Sequence, residues 1–142
     1  MQIESICVTN HICGGFEQVS MGRNAETKSL PFLSVVQSTH GSYRIALDDG
    51  PVLETGEMGV FVAPRARMQH LLHIPDERDG TMSAQWIFLD VEVNRRYRLD
   101  DLFLFPTVLP EKYHQGIYVL LRRIAATERL TDRLPDIRRL LC

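Results

Sequence analysis

A chain of 142 residues with a formal net charge of −2 is long enough for one domain with a real core, and it carries no overall attraction to nucleic acid or to an anionic membrane. Hydrophobic residues make up 44% and charged residues 24%, an ordinary globular balance, and no stretch approaches the roughly 20 apolar residues that span a bilayer. The start, "MQIESICVTNHICGGF", lacks the basic end and continuous apolar run of a secretory signal, so the expected location is cytoplasmic. Cys7, Cys13 and Cys142 have no metal-type spacing. They read as free thiols, with Cys7 and Cys13 expected to be packed. Of 16 basic residues only Lys28 and Lys112 are lysines. The arginines, crowded after residue 95, suit ion-paired helix surfaces or interfaces, and biased codon usage would produce the same excess.

Residues 1–93 read mostly as strands. "FLSVVQS" (32–38) and "SYRIALDD" (42–49) are short and rich in β-branched and aromatic residues, and "DDG" (48–50) is a tight-turn signal. A second turn, "ETGEMG" (54–59), precedes the apolar strand "GVFVAP" (59–64), which Pro64 stops. After an arginine loop comes "MQHLLHI" (68–74), then a turn-rich loop (74–81), then the longest strand candidate, "MSAQWIFLDVEV" (82–93). Short strands separated by turns predict a sandwich or small barrel. A connecting segment (95–110) holds two prolines. From Glu111 the period becomes helical, with Tyr113, Ile117, Leu120, Leu121 and Ile124 on one stripe. A second stripe runs Leu130, Leu134, Ile137, Leu140 and Leu141. Thr131 or Asp132 is the expected cap, with Pro135 in the first turn. The expected division is a β-domain with an N-terminal arm over 1–110 and amphipathic helices over 111–142.

The stretch "GEMGVFVAPRARMQHLLH" (56–73) holds the residues that bear on function. A metal centre needs three or four ligands converging on one point. His70 and His73 are three apart, so on a regular strand they face opposite sides. No His-x-His pair occurs, and His40 is the remaining barrel candidate. One of the two histidines is therefore expected inside, and His70 is the one assigned there. The metal alternative is His40 with His70. No G-x-S-x-G or P-loop pattern supports nucleophilic or phosphoryl chemistry. Asp48, Asp49, Glu54 and Glu57 read as solvated turn carboxylates.

"SYRIALDDGPVLETGEMGVFVAPRARMQHLLH" followed by "QWIFLDVEVNRRYRLDDLFLFP" resembles the N-terminal sensory domain of AraC-type transcriptional regulators. The match covers roughly residues 30–142 and follows the same order: barrel strands, a glycine–acid turn, a Pro-terminated strand, a histidine, a Trp–Phe strand and helices. The resemblance implies a mainly β, cupin-like double-stranded β-helix (jelly-roll) barrel followed by two C-terminal α-helices. It implies a metal-free interior without cofactor that holds a small effector, a sugar or another metabolite. It also implies a homodimer formed through the helices, here Tyr113, Ile117, Leu120, Leu121 and Ile124. DNA would be bound only by a helix-turn-helix domain that this chain does not contain, and the apolar pattern that runs to Cys142 without a glycine cap favours an excised domain. The paired histidines of metal cupins are missing: Arg65 and Ala66 follow Pro64, and His70 comes six residues after it.

Within that frame the expected ligand-binding residues are His40, Tyr43, Gln69, His70, Trp86 and Phe88. Trp86 and Phe88 share one face of the 82–93 strand with Met82, Ala84 and Asp90, and a flat indole offers a stacking surface. Three readings result: a non-enzymatic effector-sensing and dimerising domain, a stand-alone cupin metalloenzyme of isomerase or dioxygenase type, and a structural barrel filled by its own side chains.

Overall fold

The computed structural model describes residues 2–127 and 130–141. The side chains of residues 130–132 lie outside that description, and with them Leu130 of the second stripe and the expected Thr131 or Asp132 cap, as does Cys142. The described chain is mainly β, with helices concentrated at its C-terminal end. The strands are β1 (Ile6–Ser20), β2 (Asn24–Lys28), β3 (Leu33–His40), β4 (Ser42–Leu47), β5 (Leu53–Glu54), β6 (Val60–Ala63), β7 (Gln69–Ile74), β8 (Thr81–Val93) and β9 (Tyr97–Arg98). The helices are α1 (Leu99–Leu102), α2 (His114–Ala126) and α3 (Leu130–Leu141), with a 3-10 turn over Glu111–Tyr113 leading into α2.

The strands form two antiparallel sheets. One has the order β1-β8-β3-β6 with β9 beside β8, and the other has the order β2-β7-β4-β5. The sheets do not close on each other. β1 and β2 are free edges among the described residues, so of the two architectures expected from the strand spacing the structure has the sandwich, and the barrel implied by the resemblance is not closed.

β8 is apolar on both faces because it separates two cores. Ile87, Leu89, Val91 and Val93 point to the helices and join Leu121, Ile124 and Ile137 in one cluster. Met82 and Ala84 point between the sheets and join Tyr43, Ile45, Phe61 and Leu71, with Trp86 and Phe88 packed against them. The β1/β2 region, expected as an arm, is instead part of both sheets. β1 pairs with β8 from Ile6↔Val93 to Ser20↔Thr81, and β2 pairs with β7. Cys7 is exposed rather than packed and stands opposite Glu92 near the end of the β1–β8 ladder, while Cys13 packs against the helix-side cluster.

A buried amide pair joins the first sheet to α2. Gln85 Nε2 donates to Gln37 Oε1 at 2.8 Å and to the Tyr118 carbonyl at 3.3 Å. Gln37 Nε2 donates to the carbonyls of Met58 and His114, each at 3.0 Å. With these partners a fully buried glutamine carries little penalty, and the bonds set where α2 sits on the sheet. Some of the arginines are ion-paired: Arg65 with Asp101, Arg98 with Asp90, Arg122 with Glu17 and Arg123 with Asp136. Pro135 lies inside α3 rather than in its first turn, because the helix starts at Leu130.

Candidate functional site

The inner face of the first sheet carries an aromatic wall. The Phe32 and Phe88 rings stack 6.4 Å apart, Phe88 and Trp86 stack at 6.2 Å, and Phe16 lies tilted 6.1 Å from Trp86. Two of these rings come from i, i+2 neighbours on β8, which share a face. The indole lies across Gly14 of β1, Trp86's partner in the ladder. A Cβ at Gly14 would sit 2.6 Å from the indole Nε1. The glycine is what lets the ring lie flat.

The second sheet faces this wall with Gln69, Leu71 and His73 of β7. Regular alternation turns these inward, and Leu71 is in the inter-sheet cluster. The Tyr43 ring meets Phe61 edge-on at 5.4 Å and His73 at 4.9 Å. Burial, aided by the charge of Glu26, raises the Tyr43 hydroxyl above its ordinary value, so it stays protonated and able to donate.

Two polar groups in this interior have no partner among the described residues. Gln69 is 1% exposed and its Nε2 makes no hydrogen bond, and Ser34 is equally buried with a free Oγ. Ser34 sits on the inner face of β3 opposite Phe88, near the start of that strand. Gln69 opens β7, opposite the last residue of β2. The two orphans thus lie at the same end of the sandwich, one on each sheet. A buried polar group without a partner costs about 1–3 kcal/mol, and a water or a ligand at that end of the sandwich would satisfy both.

The expected residues divide as follows. Trp86, Phe88, Tyr43 and Gln69 come together between the sheets. His70 does not: it is exposed on the outer face of β7, 3.5 Å from the Thr27 hydroxyl. The register that turns Gln69 and Leu71 inward turns His70 out and makes His73 the interior histidine. His40 is at the other end of the sandwich, where β3 turns into β4. The pairing of His40 with His70 as metal ligands is therefore excluded by geometry. Phe16, Phe32, Ser34 and His73 were missed. Period-two alternation along "HICGGF" and "FLSVVQS" carried a signal for Phe16 and Ser34.

His40 belongs to a different constellation. Its Nε2 lies 2.9 Å from Asp79 Oδ2 and 3.9 Å from Asp76 Oδ2, and its Nδ1 lies 3.3 Å from Glu57 Oε1. Ligand atoms of His40, Glu57 and Asp76 fall within 4.8 Å of one another, the one such cluster found among the described residues. Asp76 is already held by both a side-chain and a backbone bond from Arg78, and Asp79 by Thr81. These bonds push both aspartates below the usual carboxylate range, while the bonds to Asp79 and Glu57 raise His40 above its ordinary 6.5. Glu57 is thus an imidazole partner rather than a merely solvated turn residue.

The arrangement is an ionic clasp between the 55–59 turn and the loop that joins β7 to β8. His40→Asn is expected to lower stability most below pH 6.5, where the imidazolium is present in both folded and unfolded chains. The gap from the parent should close as pH rises through the raised value. It should also close in acid, as the aspartates protonate through their depressed values. Chemical denaturation across pH reads this out, and a pH-independent gap would show that His40 acts only by packing.

Neither protein-family models nor curated proteins match this chain.

Proposed function

We propose that the chain is an effector-sensing and dimerising domain of the AraC type, non-enzymatic, with a cupin-like jelly-roll topology and a small molecule bound between its sheets. The observation that carries this reading is the pair of orphaned polar groups, Ser34 Oγ and Gln69 Nε2, buried beside a wall of stacked rings. A planar or ring-shaped metabolite with hydroxyl or carbonyl groups, such as a sugar, matches that combination. The rings provide a stacking face, and Gln69, Ser34 and Tyr43 provide the polar contacts that orient it.

The strand β8 links such a site to the helices. Trp86 faces the ligand side, and its neighbour Gln85 holds the Tyr118 carbonyl of α2 on the other face. A ligand that binds one placement of β8 better than another would shift α2 by that difference in affinity. In this reading the effect passes to a second subunit and to a DNA-binding domain outside this chain. Leu121 and Ile124, expected in the dimer contact, are buried against the chain's own sheet and are not available to a partner. Tyr113, 48% exposed, is what the stripe offers at its free end. No described helix is long and apolar enough to cross a membrane, and we place the protein in the cytoplasm.

A thermal-shift screen of sugars and other metabolites tests the reading. A ligand at 100 times its Kd stabilises the native state by about 2.7 kcal/mol, and one that stacks on the wall also changes Trp86 fluorescence. If no metabolite shifts the transition and the interior is dry and filled, the structural-barrel reading wins. A second reading, a metal-dependent enzyme, rests on the proximity of His40, Glu57 and Asp76. Stoichiometric Fe, Mn, Ni or Zn in the purified protein, lost in His40→Asn, would favour it over the sensor.

A further inference from the structure

A cavity of about 560 Å³ lies on the helix side of the first sheet, away from the inter-sheet site. Its floor is Leu33, Val35 and Val62 of the first sheet, which belong to the same apolar cluster as Leu121, Ile124 and Ile137 of the helices. Its walls come from the segment at Phe105–Pro110, from Ile117 and Leu120 of α2, and from Leu140 and Leu141 of α3. The volume is within the range of small-molecule sites, about 300–1,000 Å³.

Two features give the cavity a chemical preference. The first is charge. Lys112 and Arg139 both line it, no acidic side chain does, and neither cation is ion-paired with a described carboxylate. The nearest acid on α3, Asp136, is taken by Arg123 at 3.1 Å. Lys112 rests its ammonium 5.1 Å from the centre of the Tyr113 ring, at the cavity's rim. The second is Gly116. It is the third residue of α2, where glycine is a poorer helix former than alanine, by at most about 1 kcal/mol. No packing contact asks for it, since a Cβ there would meet nothing within 4 Å. The missing side chain leaves the cavity open.

We infer that this cavity binds a small hydrophobic anion: an apolar body against the Leu–Val floor, with one anionic group held between Lys112 and Arg139. A charge-assisted hydrogen bond is roughly twice as strong as a neutral one, which sets the discrimination expected between an acid and its neutral analogue. This site is separate from the one proposed between the sheets and does not depend on it.

Calorimetric titration of the whole chain with 2-naphthoate, 2-naphthylmethanol and 2-naphthylmethylammonium tests the inference. Naphthoate should bind at least about tenfold tighter than the alcohol, and the ammonium should not bind. Lys112→Gln and Arg139→Gln should each bring naphthoate down to the alcohol's affinity. Gly116→Leu should abolish binding while the melting temperature holds or rises, because leucine is the better helix former and fills open space. Trp86→Ala should leave naphthoate binding intact. The inference is overturned if naphthoate fails to bind at millimolar concentration, if charge makes no difference, or if Gly116→Leu binds as well as the parent. It is equally overturned if binding is lost with Trp86→Ala and kept with Gly116→Leu, which puts the probe between the sheets. Conversion of a dimer to a monomer by Gly116→Leu, with no naphthoate binding in the parent, would assign the cavity to a second copy of the chain and overturn it too.

Discussion

Gly59→Ala is expected to destabilise the protein by about 4 kcal/mol, near the upper limit for a single substitution, and to lower the melting temperature by on the order of 10 °C. A Cβ at position 59 would lie 1.9 Å from the Thr55 carbonyl oxygen and 2.5 Å from its carbon. Both are backbone atoms of the same turn, so no side-chain rotation relieves the clash. Nor can the turn drift away. Ser38 N donates to the Gly59 carbonyl at 3.1 Å, Met58 N to the Ser38 carbonyl at 2.7 Å, and Tyr43 N to the Thr55 hydroxyl at 3.0 Å. The same turn presents Glu57 to His40 and the Met58 carbonyl to Gln37. Relaxing the clash would therefore loosen the clasp and the amide pair under α2. Gly22→Ala is the matched control. A Cβ there meets nothing within 4 Å, and stability should stay within about 1 kcal/mol.

Ile124→Ala should cost about 3 kcal/mol in the monomer. Ile124 is 0% exposed, in one cluster with Ile137 of α3 and with Ile87, Leu89 and Val91 of β8. Truncating an isoleucine at such a site loses the transfer energy of the removed carbons and leaves a cavity whose walls are held by a sheet. The result separates two roles for the stripe on α2. If Ile124 belongs to the chain's own core, urea denaturation at any protein concentration shows the full loss. If the helix is stabilised mainly by a second subunit, the loss depends on concentration and appears as dissociation. The structure predicts the first outcome for Ile124 and Leu121, and the second only for exposed positions such as Tyr113.

The architecture was partly readable from local pattern. The alternation in "MSAQWIFLDVEV" separates Trp86 and Phe88 from Ile87 and Leu89, and the structure assigns those two sets to two different cores. Pro64 ends its strand and "DDG" makes its turn, because these residues carry their backbone preferences with them. The orientation of "QHLLHI" was not readable. Gln69, Leu71 and His73 make one face and His70, Leu72 and Ile74 the other, and each mixes polar with apolar. The choice is made by pairing with β4 and β2, and a one-residue change of register reverses it. β1 was hard to see because its glycine pair and polar residues weaken the strand signal. Its partner is distant in sequence, from Ile6↔Val93 at one end of the ladder to Ser20↔Thr81 at the other. The clasp at His40 joins residues 17 and 39 positions apart, and no spacing rule reaches them. An orphaned amide is a property of the packed interior alone.

That amide gives the most direct test of the central claim, that the space between the sheets is shaped for a ligand. In Gln69→Leu the unpaired Nε2 is replaced by an apolar group of similar size. A group kept for binding at the expense of stability should, when removed, stabilise the ligand-free protein by about 1–2 kcal/mol, seen as a higher denaturation midpoint with an unchanged m-value. The same variant should lose the thermal shift given by every metabolite that stabilises the parent. A Gln69→Leu protein that is less stable than the parent, or that responds to those metabolites as the parent does, would contradict the account.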